Sequence, residues 1–193
     1  MLIVGSRLDN MPVMSLQTGG EIARISEAVI NPANLEIVAY RLTGPLIGNH
    51  NTYVLINDIR ELSEVGFIVD SADEFINDGD VIAIDNIIDR QFNLVGKPVI
   101  SRLHKKLGKV IDYNIDIDSF TVIQIIVKRS LLHSFSETEL IVHRSQIIEI
   151  NDRAIIIEDG TVIEEKIERA TLSGSYTNPF RNSKPAPEGT VNA

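Results

Sequence analysis

The sequence lacks cysteine and tryptophan altogether, and aromatic residues fill only 5% of its 193 positions. Without cysteine the chain has no disulfide, no thiolate nucleophile and no cysteine-based zinc site. Its longest apolar runs, such as residues 125–127, are far shorter than the roughly 20 residues that span a bilayer. The apolar run at residues 1–5 is too short for a signal peptide. We therefore expect a soluble, cytoplasmic protein without a transmembrane segment.

Aliphatic residues and acidic side chains are what the sequence has in abundance. Hydrophobic residues make up 44% of the chain, and most of them are Ile, Val and Leu, a composition that favours β-strands. The net charge of −9 is unevenly distributed. Residues 1–90 hold 5 basic and 14 acidic groups, whereas residues 91–170 hold 11 and 12. The first half should repel phosphate backbones, and the second half can carry a local basic patch.

The two halves of the chain resemble each other, which predicts an internal duplication. Residues 11–15 align with residues 97–101, and their prolines are 86 positions apart. Three further pairs of stretches align downstream: 22–25 with 107–110 and 36–38 with 121–123 at an offset of 85, and 54–59 with 142–147 at an offset of 88. The longer final offset predicts a small insertion in the second copy.

Short apolar segments separated by turns predict about five strands in each copy. The predicted strands are residues 36–42, 53–56 and 67–69 in the first copy and 111–118, 121–128, 140–142 and 154–157 in the second. Such strands are typical of a small barrel or a strongly bent sheet. We predict an all-β fold in which residues 1–88 form a first module, residues 89–170 a second, and residues 171–193 a disordered polar tail.

The connection between the copies predicts short helical turns. Ser71 and Glu74 are spaced as a capping box, so a helical turn should begin there and end at Gly79. Residues 81–84 are predicted to be extended. A second short helix is predicted at residues 162–170, which follow a glycine and are rich in glutamate.

One run in the second copy carries a family resemblance. Gly96 and Val99 form a Gly-x-x-Val pattern, Gly108 and Val110 form a Gly-x-Val pattern, and an Asp-rich alternating strand follows at residues 111–118. This run resembles the start of a PRC-barrel domain. That family includes the photosynthetic reaction centre H subunit and the C-terminal domain of a bacterial ribosome-maturation factor.

The resemblance extends over about residues 8–160, with Met11 and Ala23 at the glycine positions of the first copy. It implies two tandem small PRC-like β-barrels that act as protein-interaction or assembly modules and share no catalytic residue. The membrane helix of the reaction-centre subunit and the N-terminal domain of the maturation factor have no counterpart in the sequence.

A search for chemistry along the sequence is largely negative. The glycines lack the spacing of a dinucleotide fingerprint or a phosphate loop, and no serine lies in a nucleophile elbow. Asp112, Asn114, Asp116 and Asp118 begin like a calcium-binding loop, but Ile117 stands where that loop needs glycine. We predict that the protein is not an enzyme and holds no metal and no cofactor.

The first candidate binding feature is a pair of equivalent loops. Leu46 and Ile47 in the first copy align with Leu131 and Leu132 in the second, and Phe135 lies close by in sequence. Recurrent apolar pairs in two loops are candidates for exposed contacts with a protein partner. The alternative is that these side chains fold back over a barrel end or pack between the two copies.

The second candidate feature is the basic cluster of Arg102, Lys105, Lys106 and Lys109. These cations could contact RNA phosphates or anionic lipid headgroups. They could also meet the acidic first half of another molecule, which would produce self-association. An ordinary solvated hairpin is the simplest interpretation. The absence of aromatic side chains around the cluster weakens the RNA interpretation.

These features favour a non-enzymatic adaptor or assembly module that binds protein partners through its two barrels. Two alternatives stay open at this point. One is a ribosome- or RNA-associated maturation factor that uses the basic cluster, and the other is a small-ligand or metal-binding module.

Overall fold

The computed structural model describes residues 1–48, 51–129 and 139–159, and they are mostly β-structure, which confirms the all-β prediction. A first strand, β1, spans Leu2–Val4. The strands of the first copy are β2 (Pro12–Ser15), β3 (Glu21–Ile30), β4 (Ile37–Thr43), β5 (Thr52–Leu55), β6 (Glu61–Ser63), β7 (Gly66–Val69) and β8 (Phe75–Asn77). One helix, α1 (Ile82–Ile88), follows them. The strands of the second copy are β9 (Pro98–Ser101), β10 (Lys106–Asp116), β11 (Thr121–Lys128), β12 (Glu139–His143), β13 (Ile147–Ile150) and β14 (Ile155–Ile157).

The strands form two sheets whose equivalent members follow the same order. The first sheet runs β6-β7-β2-β3-β4-β5-β8, and the second runs β13-β14-β9-β10-β11-β12 with β1 added beside β10. Each sheet contains one parallel pair at the same place, β7 with β2 and β14 with β9. Within the described residues, the two end strands of each sheet do not pair with each other. Both sheets are therefore open, and the predicted closed barrels are not confirmed.

The duplication extends to irregularities of the backbone. The ladder of β3 with β4 shifts register around Ser26, and the ladder of β10 with β11 shifts around Ile111, 85 residues later. This bulge interrupts the predicted alternation of residues 111–118, and it leaves Ile111 39% exposed. Gly96 has a positive φ angle of 87°, and Asn10 in the first copy has one of 60°. The counterpart of Gly96 is therefore Asn10 and not Met11.

The two copies meet at equivalent hairpins. Glu36 and Thr121, which are 85 positions apart, form an antiparallel bridge. On either side of it, the Ile37 N–H donates to the Phe120 carbonyl at 2.8 Å and the Val122 N–H donates to the Leu35 carbonyl at 2.9 Å. Ile37 is equivalent to Val122 and Phe120 to Leu35, so exchanging the two copies turns one hydrogen bond into the other. The two sheets are therefore related at this point by an approximate twofold axis.

The turn residues at this contact place side chains across the boundary between the copies. Leu35 and Phe120 are equivalent and both have positive φ angles (61° and 47°), which is uncommon for such side chains. The Phe120 ring lies 6.4 Å from the rings of both Tyr40 and Phe67, which themselves pack 5.2 Å apart. The hydrophobic core is accordingly one cluster with members from both copies.

The segment between the copies corrects part of the prediction. Ser71 does cap a helical turn, as its side chain accepts from the Asp73 N–H, but this turn covers only Ala72–Glu74 and leads into β8. Of residues 81–84, predicted as extended, Val81 is extended and precedes the helix, whereas residues 82–84 open α1, which packs beside β3. The helix predicted at residues 162–170 and the tail at 171–193 lie outside the described residues. Among the described helices, none has the length and apolarity needed to cross a membrane.

Candidate functional site

A cleft of about 900 Å³ lies where the first copy, the connecting segment and β10 meet. Strands β3 and β4 form one wall, and residues 92–95 with residues 111–113 form another. The loop at residues 43–48 closes one end. Because both copies line this space, the cleft exists only when they are held together as in the complete chain.

Asp112 is fixed in one wall of the cleft by three hydrogen bonds. Its carboxylate accepts from the Ser6 hydroxyl at 2.6 Å, from the Ser6 N–H at 3.2 Å and from the Tyr113 N–H at 2.8 Å. The Tyr113 ring lies directly on Gly5, where an added Cβ would be 2.6 Å from a ring atom. Glycine is therefore required at residue 5 to let the aromatic ring form this part of the wall.

The opposite wall carries a chain of polar contacts. The Arg41 guanidinium lies 3.9 Å from the Glu27 carboxylate and donates a hydrogen bond to the Asn51 side chain. The Asn51 amide in turn donates to Asp78 at 2.7 Å. Glu27 lies on β3 and Arg41 on β4, whereas Asn51 immediately precedes β5 and Asp78 immediately follows β8. The single guanidinium is thus already engaged by an acidic and an amide side chain.

The cleft continues into a second depression of about 680 Å³ between β3 and α1. The two share part of their lining, so together they form one groove, which we call the acidic groove. Its acidic lining residues are Asp9, Glu27, Asp78, Asp85, Asp89 and Asp112, whereas Arg41 is its one basic residue within the described chain. The electrostatic character of the groove is therefore suited to a cationic ligand.

Burial and neighbouring charge act on the ionisable groups at the floor of the groove. Burial and, secondarily, the Asp112 carboxylate raise the pKa of Asp9. Burial likewise raises the pKa of Tyr113, with smaller contributions from Asp9 and Asp112. A cation bound between Asp9 and Asp112 would stabilise both carboxylates and lower the pKa of Asp9 again. The site can therefore bind positive charge, and we identify no nucleophile paired with a base in it.

Tyr40 is buried behind this floor with a hydroxyl that has no hydrogen-bond partner in the described part of the chain. Burial raises the pKa of Tyr40 well above its usual value, with Tyr113 and then Asp9 adding to the effect. An unsatisfied buried hydroxyl costs free energy because its bonds to water are lost and not replaced.

We expect Tyr40→Phe to raise the free energy of unfolding by about 1 kcal/mol, because the substitution removes the unsatisfied group and keeps the ring packing. Urea denaturation followed by circular dichroism measures the change. Tyr53→Phe is the matched control, since the Tyr53 hydroxyl is hydrogen-bonded to Asp78 and its loss should destabilise the protein. A Tyr40→Phe variant less stable than the wild type would contradict this interpretation of the hydroxyl.

The structure separates the two members of the first predicted contact pair. Leu46 is 69% exposed in the loop whose Gly44, Ile47 and Gly48 line the cleft, whereas Ile47 is partly buried and packs against the core. For Ile47, the alternative of packing back onto the fold is therefore the better description. Their predicted counterparts Leu131, Leu132 and Phe135 lie outside the described residues.

The structure places all four residues of the predicted basic cluster on the β9–β10 hairpin. Arg102 and Lys105 lie in its turn, and Lys106 and Lys109 lie in β10. All four side chains are exposed, and none of them lines the acidic groove. The protein therefore presents two separate surfaces of opposite charge.

Sequence reasoning missed the acidic groove. The sequence places Asp112 in an Asp-rich alternating strand, and Asp9 and Glu27 stand out in no motif. Their proximity arises from contacts between distant strands, so no local spacing announces it. Among the described residues, no group of three or more His, Asp or Glu side chains is arranged to hold a metal ion.

Comparison with known proteins does not assign the site. No protein-family model matches the chain, and no curated protein shows significant sequence similarity to it.

Proposed function

We propose that the protein is a non-enzymatic adaptor that binds a protein partner in the acidic groove between its two copies. Each open sheet with its flanking turns serves in this proposal as one PRC-type module. The partner contributes a segment that carries Lys or Arg side chains and at least one apolar side chain.

The charge of the groove is the observation that carries this proposal. Six acidic residues and one arginine line it, and the arginine is already engaged by Glu27 and Asn51. A cationic segment is therefore favoured over an anionic one by the field of the whole groove. Asp112 is already oriented by its bonds to Ser6 and Tyr113, so little ordering is needed when a cation arrives.

An exposed leucine in the loop at residues 43–48 supplies an apolar part of the proposed binding surface. Leu46 is a large aliphatic side chain that is 69% exposed, and it immediately precedes Ile47, which lines the cleft and packs against the core. Burial of an exposed aliphatic side chain against a partner removes apolar surface from water and thereby contributes to affinity. The resemblance of residues 8–160 to PRC-barrel domains supports the same class of function, because that family implies interaction or assembly.

An affinity capture experiment tests the proposal. The tagged full-length chain is used as bait in a lysate of the cells that produce it, alongside Leu46→Ser and Asp9→Asn variants. We expect either substitution to reduce the captured partner by about fivefold or more, as for a residue central to an interface. Capture should also weaken as the salt concentration rises, because charge attraction is screened.

Leu16→Ser is the matched control for this experiment. Leu16 is a leucine of similar exposure, 62%, in the β2–β3 turn, and, unlike Leu46, it is not next to a groove-lining residue. Capture by this variant should equal capture by the wild type. Retention of every partner by both groove variants would show that the groove is not the contact site.

A further inference from the structure

The β9–β10 hairpin concentrates positive charge on a protein of net charge −9. Arg102 and Lys105 flank its turn, and Lys106 and Lys109 continue along β10. Lys109 stands directly opposite Lys128 of β11, so the cationic strip extends onto a second strand. Arg102, Lys105, Lys106 and Lys109 make no salt bridge with any described residue. Their charge is thus available to a ligand outside the fold.

The tip of the same hairpin exposes a large apolar side chain. Leu103 is 80% exposed, and it is flanked in sequence by Arg102 and His104. The turn is held by the buried Ser101, whose hydroxyl accepts from the Leu103 N–H at 3.2 Å and from the Lys105 N–H at 3.4 Å. The Ser101 carbonyl also accepts from the His104 N–H at 2.8 Å. The exposure of Leu103 therefore follows from a fixed turn.

The equivalent hairpin of the first copy has the same framework without the charge. Ser15 is buried at its base, and the next residue, Leu16, is 62% exposed at the position equivalent to Arg102. Its ionic residues neutralise each other, since Arg24 donates to the Glu21 carboxylate at 2.6 Å. The cations of the second hairpin are accordingly not needed to build this turn.

We propose that the β9–β10 hairpin docks on an anionic lipid surface. In the docked state the cations lie against the headgroups and Leu103 enters the boundary between headgroups and acyl chains. A solvated apolar tip between cations suits this environment, where apolar burial and attraction to anionic lipid act together. Nucleic acid suits it less well, since no Phe, Tyr or Trp lies in residues 93–112 to stack on a base. This docking is independent of the acidic groove.

Docking through this hairpin should be local and reversible. Each Lys or Arg close to an anionic membrane strengthens binding by about fivefold, and this attraction decays over roughly 8 Å in physiological salt. The acidic first half therefore opposes docking only weakly when it is held farther from the surface than this distance. A few cations and one leucine give weak attachment that depends strongly on salt.

Cosedimentation with lipid vesicles tests this proposal. The full-length protein is mixed with phosphatidylcholine vesicles that contain about 30% phosphatidylglycerol, and with vesicles of phosphatidylcholine alone. We expect binding only to the anionic vesicles at low salt, with a steep decrease as salt rises. The double variant Lys105→Glu, Lys106→Glu should bind at least about tenfold more weakly, and Leu103→Ser several-fold more weakly.

Leu16→Ser again provides the control, because it removes a largely exposed leucine from the equivalent hairpin, which lacks the cations. It should bind vesicles as the wild type does. Absence of binding to anionic vesicles at low salt would overturn the proposal. Binding of the Leu103→Ser and charge-reversal variants as strong as that of the wild type would overturn it too. Binding of a single-stranded RNA oligonucleotide with the same residue dependence, without vesicle binding, would assign the hairpin to nucleic acid instead.

Discussion

Phe120→Ala should lower the free energy of unfolding of the whole protein by about 3 kcal/mol. The Phe120 ring belongs to the second copy, yet its aromatic neighbours Tyr40 and Phe67 belong to the first. Its removal opens a cavity between the copies that Phe67, fully buried against Tyr40, cannot fill. We therefore expect both copies to be destabilised together.

Urea denaturation measures this effect. Far-UV circular dichroism and tyrosine fluorescence should report one shared transition, shifted to lower urea in the variant. Leu103→Ala is the control, since a residue 80% exposed should change stability by less than about 0.5 kcal/mol. Two separate transitions, with only the second copy weakened, would show that the copies fold independently.

Gly108→Ala should be at least as destabilising, by about 3 kcal/mol or more. A Cβ at this position would lie 2.1 Å from the Lys128 carbonyl oxygen on the adjacent strand, and the φ angle of 152° suits glycine. To admit the methyl group, β10 and β11 must separate where they pair. The first copy carries Ala23 at the equivalent position, so the restriction belongs to the second sheet.

Gly96→Ala separates the two causes of this effect. Gly96 also has a positive φ angle, 87°, but no atom lies within 4 Å of its added Cβ. Its substitution should cost only the backbone strain, about 1–2 kcal/mol. Thermal and urea denaturation of both variants compares them directly. Equal destabilisation of the two would contradict the close approach of the Lys128 carbonyl.

The sequence predicted the internal pattern of the fold in detail. An offset of 85 aligns Tyr40 with Ile125, and an offset of 88 aligns Val54 with Val142. In the structure Tyr40 pairs with Val54 and Ile125 pairs with Val142, so the two copies have equivalent strand registers. Residues 121–128 were predicted as a strand, and β11 has those bounds. Such agreement is expected where alternating apolar residues and turns determine structure locally.

The elements that the sequence did not predict depend on distant contacts. Three of the four residues at 81–84 are β-branched and favour a strand, yet residues 82–84 begin α1, which packs beside β3. Strand β1 pairs with β10, more than 100 residues away, and no local pattern indicates that partner. Whether a sheet closes into a barrel also depends on strand tilt and stagger, which the sequence does not encode in any short segment.

In the candidate site, too, local features were predictable and features that depend on distant contacts were not. Exposure of Leu46 and grouping of the four cations on one hairpin were predictable, because each depends on neighbouring residues. The acidic groove was not, because Asp9 and Asp112 meet only after the two copies have packed. A site between two modules is therefore difficult to predict from the sequence, even where the strands of each module are predicted.

Site-specific photocrosslinking is the most direct test of partner binding in the groove. A photoreactive residue is placed at Leu46, and in a second protein at Leu16, which has similar exposure outside the groove. We predict that the captured partner crosslinks at residue 46 and not at residue 16, and that Asp9→Asn reduces the crosslinked product. A partner that binds normally but never crosslinks at residue 46, or that crosslinks equally at residue 16, would contradict the proposed function.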